Sequence, residues 1–328
     1  MSYLWIDTDA GLDDTVAILM ALQHSTVLGI SCSYGNIPCD YVKKNVSRVV
    51  NMYKQVKGLK VIPKLTVSAL NTVSKFVPKP LSEPDEECWH GIDGLGGQPD
   101  FEKKHNVPFE QLPFEEFMPS LLWAAAEAKK NGQKLKFISI GPCTTMAELE
   151  VENMQYFTMS ACIPEAFASL DDAKPFGPTD GNMGVFKCPF AEHNIACDVD
   201  AAEKCFREKD IVVADWVLTI KKSLTFDTLN SLHKGENKLQ DFHQAISAWM
   251  VQQTKKINGT RYMICDALAV FAAIFPEFCT LRQCGIEVIT EQTEQFGRTK
   301  MVDGKNIGVI VDLEYEQLLT KLRAIFDN

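Results

Sequence analysis

Four carboxylates fall within eight residues near the amino terminus: Asp7, Asp9, Asp13 and Asp14, in the stretch Asp7-Thr8-Asp9-Ala10-Gly11-Leu12-Asp13-Asp14. Residues 3–6 before them read as a short buried strand, and residues 15–22 after them as an apolar helix. The acids therefore occupy a strand-to-helix turn. In an open α/β sheet such a turn lies at the carboxyl end of a strand, where ligands bind. Helix capping and the helix dipole account for one or two acids there, but they do not neutralise four. A hard divalent cation held by oxygen ligands does, and the oxygen-only set favours calcium or magnesium over zinc. An EF-hand loop needs glycine at its sixth position and Glu at its twelfth. Counting from Asp7, these are Leu12 and Ile18, so that loop is excluded. A phosphoryl-transfer site with Asp7 as nucleophile needs a distant Lys that nothing in the sequence singles out.

Apolar segments at residues 26–32, 60–62, 136–140, 156–159 and 211–213 read as strands, with helices at 41–56, 115–130 and 201–207. Near-continuous apolar strands separated by helices predict an α/β fold: one domain over residues 1–328, Rossmann-like, with a mostly parallel central β-sheet flanked by helices. Its active site is expected at the carboxyl ends of the strands. Residues 66–113 form too long an irregular stretch for an idle connection. That segment and residues 224–236 are expected to be loops that close over substrate.

The net charge is −10, without a Lys/Arg stripe, which argues against a nucleic acid or anionic membrane partner. No apolar run approaches the roughly 20 residues that span a bilayer, and no charged-then-apolar leader is evident. Eleven cysteines lack paired Cys-x-x-Cys spacing, which fits free buried thiols in a reducing compartment. A cytoplasmic protein is expected.

Ser33-Tyr34-Gly35-Asn36, Trp89-His90-Gly91-Ile92-Asp93-Gly94-Leu95-Gly96-Gly97, Ser139-Ile140-Gly141-Pro142-Cys143-Thr144-Thr145, Gly181-Asn182, Ala191-Glu192-His193-Asn194 and Cys265-Asp266-Ala267-Leu268-Ala269 each place polar or glycine residues after apolar ones. With the amino-terminal acids, they resemble in order the motifs of the nucleoside hydrolases, the inosine-uridine-preferring family. That family's first motif is Asp-Thr-Asp-Pro-Gly-x-Asp-Asp, matched here except for Ala10.

The resemblance implies hydrolysis of the N-glycosidic bond of a ribonucleoside to base and ribose, in nucleoside salvage, through an oxocarbenium-like transition state. It further implies a calcium ion held by Asp9, Asp14, Asp266 and the backbone carbonyl of Ile140, with Asp9 as the base that activates water. Asp13 and Asn36 would take the ribose secondary hydroxyls. Asn182, Glu192 and Asn194 would take the 5′-hydroxyl, and Met159 would pack beneath the sugar. A homodimer or homotetramer is the family's habit. The alternative is a nucleoside- or ribose-binding relative that has lost turnover.

The departures from the family pattern are specific. Ser160-Ala161 stands where a Gly-Gly pair is usual, Thr145 replaces Asn, and His193 replaces an aromatic residue. Cys265 occupies the position where many relatives carry a His that protonates the leaving base, which places the chain in a branch with Cys there. His90 and Trp89 are the residues expected to help the base leave, by hydrogen bonding or stacking, while Cys265 shapes the pocket.

Overall fold

The computed structural model describes residues 2–59, 61–69, 89–98, 101–104, 109–182, 188–233 and 237–327. In chain order, β1 (Tyr3–Thr8) leads into α1 (Leu12–His24), β2 (Thr26–Ser33) into α2 (Cys39–Lys57), and β3 (Lys64–Ala69) is followed by α3 (Phe101–Lys104), β4 (Phe114–Glu115) and α4 (Phe117–Lys130). Next come β5 (Leu135–Ser139), α5 (Thr144–Ala147), β6 (Met154–Met159), α6 (His193–Cys197), α7 (Val199–Glu208), β7 (Ile211–Ala214) and α8 (Trp216–Lys222). The carboxyl-terminal part holds β8 (Leu224–Thr225), α9 (Phe226–Ser231), α10 (Lys238–Lys256), β9 (Arg261–Tyr262), α11 (Cys265–Ile274), β10 (Cys279–Val288), β11 (Thr299–Leu313) and α12 (Tyr315–Phe326).

Nine strands form one sheet in the order β10-β11-β7-β6-β5-β1-β2-β3-β4, with only the β10–β11 pair antiparallel. This is the mostly parallel α/β sheet expected. The chain builds outward from β1 through β2 and β3, then returns to the other side of β1 with β5. The two sides part at β1 and β5, which pair directly in parallel. Diverging connections at such a point leave a crevice above the strand ends. Strands buried on both faces explain the continuous apolar runs, as in Leu4, Trp5 and Ile6, all wholly buried.

Three expectations shift. The strand expected at residues 60–62 lies instead at Lys64–Ala69, where Lys64 registers with Gly29 of β2. Pro63 cannot donate to a ladder, and Val61 and Ile62 are 47% and 48% exposed. Phe114 and Glu115 form an edge strand, so the following helix starts at Phe117. The expected irregular stretch begins with a strand: residues 66–69 belong to β3. Residues 70–88, 99–100 and 105–108 of that stretch lie outside the described residues, as do 234–236 of the second expected loop. The described part of that loop is a short strand and a helix. The β10–β11 hairpin was not legible as strands, because exposed polar positions such as Arg282, Gln283, Asp303 and Lys305 interrupt any apolar run. No helix among the described residues is long and apolar enough to cross a membrane. The ten described cysteines are free thiols, nearly all buried.

A candidate active site at the strand switch point

Asp7 points into the sheet rather than the crevice. Its Oδ1 accepts from Ser31 Oγ and, at 2.6 Å, from Ser68 Oγ, and burial pushes its carboxyl up to about 6. The remaining acids lie beyond the end of β1. Gly11 caps α1, and its N–H donates to Asp14 Oδ2 at 2.8 Å. Ala10 N–H, at 3.2 Å, and Thr8 Oγ1, at 2.5 Å, donate to Asp14 Oδ1. Capping thus does explain Asp14's local bonds, and it explains only that acid. Ala10 adopts a φ of +48°, which the proline usual in the resembling motif cannot reach.

Asp9 is gripped by Asn36, whose main-chain N–H donates to Oδ2 at 2.7 Å and whose Nδ2 donates to Oδ1 at 3.0 Å. The approach demands glycine next door, since a Cβ on Gly35 would fall 2.0 Å from Asp9 Oδ2. From the far end of the chain, α11 packs against α1 and delivers Asp266 in its first turn. Asp13, Asp14 and Asp266 then offer oxygens that all lie within 4.8 Å of one another. The resemblance implies Asp9 with Asp14 and Asp266; the structure groups Asp13 with that pair and leaves Asp9 alongside, bonded to Asn36. The Ile140 carbonyl, after β5, accepts from Asn194 Nδ2 at 3.4 Å. It adjoins Asp9, because a Cβ on the following Gly141 would lie 3.3 Å from Asp9 Cγ.

The electrostatics of this cluster are unfavourable as it stands. Burial first, then the charge of Asp14, pushes Asp9 well above the usual carboxylate range. Burial and the charges of Asp13, Asp14 and Asp9 do the same to Asp266. Asp13 and Asp14 are also raised, chiefly by burial. Asp13 Oδ1 is buried with no hydrogen-bond partner. The basic group that the described residues bring near is His90, and it is no counter-charge. Its Nδ1 accepts from Leu12 N–H at 3.1 Å, and burial pulls the ring down to about 4, so the proton of the neutral ring sits on Nε2. The 3.7 Å separation from Asp13 Oδ1 is therefore not an ion pair. A site for a hard cation fits these residues: several buried oxygens, mutual repulsion and an unpaired acceptor.

The His90 loop is fixed by residues that sequence reasoning missed. Asp93 Oδ1 accepts from Leu95 N and Gly97 N, and Asn45 Nδ2 bridges the Asp93 and Ala10 carbonyls. A Cβ on Gly11 would strike His90 Nδ1 at 2.6 Å, so that glycine permits the close approach. Trp89 is 37% exposed, and its carbonyl is held by Trp249 Nε1 at 3.0 Å.

On the other flank, Glu192 caps α6. It accepts from Asn194 N at 2.9 Å, Ile195 N at 3.2 Å and Ala161 N at 3.1 Å, and burial pushes its carboxyl up to about 7. Asn194 Nδ2 donates to the Met159 carbonyl at 2.9 Å, tying α6 to the end of β6. Asn182 N–H is held by the Ala191 carbonyl at 3.0 Å, while its side-chain Oδ1 has no partner. Ala161 adopts a φ of +71° where the pattern usually has glycine. Cys265 opens α11, and burial followed by the charges of Asp13 and Asp266 pushes its thiol far up, so it stays a neutral thiol.

An open α/β sheet with a buried carboxylate cluster at its switch point defines an α/β protein with a candidate hard-cation site. Residues 4–320 match the family described as inosine-uridine preferring nucleoside hydrolase, and the chain belongs to that family. Among curated relatives, the non-specific ribonucleoside hydrolase RihC of Escherichia coli is 26% identical over an alignment of 340 positions, covering 98% of each chain. The uridine nucleosidase of Saccharomyces cerevisiae is 25% identical over 272 residues, covering 78% of this chain and 70% of that one. Among solved structures, a plant nucleoside hydrolase superposes with a TM-score of 0.78 at 19% identity, covering 100% of this chain and 99% of the other. A purine-preferring ribonucleoside hydrolase from Gardnerella vaginalis gives 0.76 at 21% identity, with 99% and 98% covered.

Proposed function

We propose that this chain hydrolyses the N-glycosidic bond of ribonucleosides with calcium bound at the switch-point carboxylates. The observation that carries the reading is the convergence of Asp13, Asp14 and Asp266, beside Asp9 and the Ile140 carbonyl, with no cationic side chain among the described residues to balance them. Asp14 and Asp266, with Asp9 and the Ile140 carbonyl, are the proposed cation ligands. A bound calcium would orient the ribose 2′ and 3′ hydroxyls and polarise a water.

The chain's own residues supply the rest. Asp9, oriented by Asn36, takes a proton from the attacking water as the water oxygen bonds to the anomeric carbon. The C–N bond breaks with its electron pair passing to the base. Asp13 and Asn36 hold the secondary hydroxyls. Asn182, with its free Oδ1, takes the 5′-hydroxyl, and Glu192, Asn194 and Met159 shape that end of the pocket. Binding energy so far from the breaking bond can hold the sugar in a reactive pose. His90 Nε2–H is the hydrogen-bond donor offered to the departing base, and the protonated Cys265 thiol serves as a pocket wall.

The experiment is a panel of ribonucleosides assayed for released reducing sugar, with metal content measured in parallel. Release that requires calcium supports the reading. Binding without release of sugar would make the chain a nucleoside-binding relative instead.

A further inference from the structure

Asn45 stands on α2 and is buried, and its side-chain amide donates to backbone carbonyls of two other segments. One is Ala10 in the acidic turn, at 3.3 Å, and the other is Asp93 in the His90 loop, at 2.8 Å. The seat is tight, since a Cβ on Gly94 would lie 3.0 Å from Asn45 Nδ2. The same two segments meet again a few residues along, where Leu12 N–H donates to His90 Nδ1 at 3.1 Å. The two links close a circuit that runs from Ala10 through Asn45 to Asp93, along the loop to His90, across to Leu12 and back along the turn. Other bonds anchor the loop to different parts of the molecule. Arg48, one turn further along α2, donates to the Gln98 carbonyl at 2.6 Å, and Trp249 of α10 donates to the Trp89 carbonyl at 3.0 Å. Asn45 differs from both in tying the loop to the acidic turn itself.

We propose that Asn45 is a positioning residue for His90: by clamping the His90 loop to the acidic turn, it holds the ring against Leu12 N–H and so keeps the ring proton on Nε2 for the departing base. The inference rests on the hydrolase reading, in which His90 Nε2–H meets that base. A neutral imidazole has one donor and one acceptor, and the bond made by one nitrogen sets the role of the other. Hydrogen bonds weaken steeply once they bend, so a small slip of the loop frees Nδ1. The Nδ1–H tautomer then gains population, and its Nε2 offers the base no proton. Arg48 and Trp249 still dock the loop when Asn45 is removed, which separates the placing of His90 from the folding of its loop.

Asn45→Ala is assayed with uridine and with nitrophenyl riboside, whose leaving group needs no protonation. For uridine, kcat/KM should fall about ten-fold, part of the full general-acid effect, while nitrophenyl riboside should hardly respond. In a His90→Ala background the same substitution should add almost nothing for uridine, since it acts through His90. Equal losses for the two substrates overturn the proposal and make Asn45 merely structural, and so does the absence of any loss. Should the alanine variant fail to fold, Asn45→Ser, which keeps one donor, is read by the same split between substrates. The imidazole nitrogen resonances of His90 supply a readout that needs no turnover. The wild type should show the Nε2–H tautomer, and Asn45→Ala should show a mixture of the two. A single unchanged tautomer in the variant, or an Nδ1–H ring in the wild type, overturns the proposal. If the wild-type protein turns over no nucleoside, the hydrolase reading fails on its own account, and the tautomers decide Asn45 separately.

Discussion

The turn around Glu192 and the turn between β1 and α1 both withdraw carboxylates from water at the same edge of the sheet. Glu192 meets three backbone N–H groups and becomes a helix cap. At the other turn, Asp14 is similarly capped, yet Asp13 presses its charge on it, Asp9 and Asp266 are each raised by the neighbouring acids, and Asp13 keeps an oxygen unpaired. Burial alone does not distinguish a structural acid from a functional one. The distinction is whether the fold itself supplies the donors. Where it does, the acid stabilises the protein; where it does not, a ligand must.

By that contrast, the largest effect belongs to the unsatisfied turn. Prolonged chelation should abolish hydrolysis and calcium should restore it, and calcium should raise the thermal midpoint of the wild type, by about 2.7 kcal/mol of stability at a hundred-fold excess over its dissociation constant. Asp266→Ala should lose both the activity and the calcium-induced shift. Full activity in protein shown by elemental analysis to be metal-free breaks the comparison.

Next comes Asp9→Asn, which keeps a polar group beside Asn36 but removes the proton acceptor. Single-turnover hydrolysis should slow by about a hundred-fold or more while nucleoside still binds. An unchanged rate would assign the base elsewhere.

The satisfied turn should respond in stability instead. Glu192→Ala strands three N–H groups, at roughly 1 kcal/mol or more each, and a shift in the denaturation midpoint should report it. Glu192→Gln should cost less, because one amide oxygen at the Oε2 position still accepts from Ala161 and Ile195.

Its pH dependence sharpens the same point. The Glu192 carboxyl is raised from 4.5 to about 7 by burial. Its contribution to stability is therefore complete below about pH 4.5 and is lost as pH rises through about 7. The loss is on the order of 3 kcal/mol at about 1.36 per unit. Glu192→Gln does not titrate, so its stability profile should be flatter over that window. Parallel profiles for the two proteins would show that the raised carboxyl is not there.

The smallest effect is expected at Cys265, a neutral thiol at the border of the acidic turn. Cys265→Ala should cost only a few-fold in turnover, short of the hundred-fold expected of a general acid, and less than His90→Ala with poor leaving groups. Hydrolysis of natural nucleosides destroyed while nitrophenyl riboside is spared would instead make the thiol part of leaving-group activation.

Much of the sheet was legible because β1, β2, β5, β6 and β7 each carry a run of buried apolar residues, and such runs survive any tertiary context. The edges were less so. Lys64–Ala69 alternates weakly, Phe114–Glu115 is too short to carry a period, and β10 exposes half its positions. The acidic turn was legible because four carboxylates and a glycine sit side by side in sequence. The distribution of roles among the acids was not, because Asp7 turns toward Ser31 and Ser68 while Asp13 joins Asp14 and the distant Asp266.

By itself, the sequence determined the alternation of strand and helix, the placing of the acids at a strand end, and the order of motifs that marks the family. These are local properties, set by periodicity and turn chemistry over a few neighbouring residues. Tertiary structure alone decided that Asp266 meets Asp13 and Asp14, that His90 accepts from Leu12 and stays neutral, and that the hydroxyl of Tyr262 ends buried and unpaired. Each of those outcomes depends on how α11, the His90 loop and β9 pack around the end of β1. Packing brings together side chains from opposite ends of the chain, and it sets their protonation through burial that no local pattern encodes.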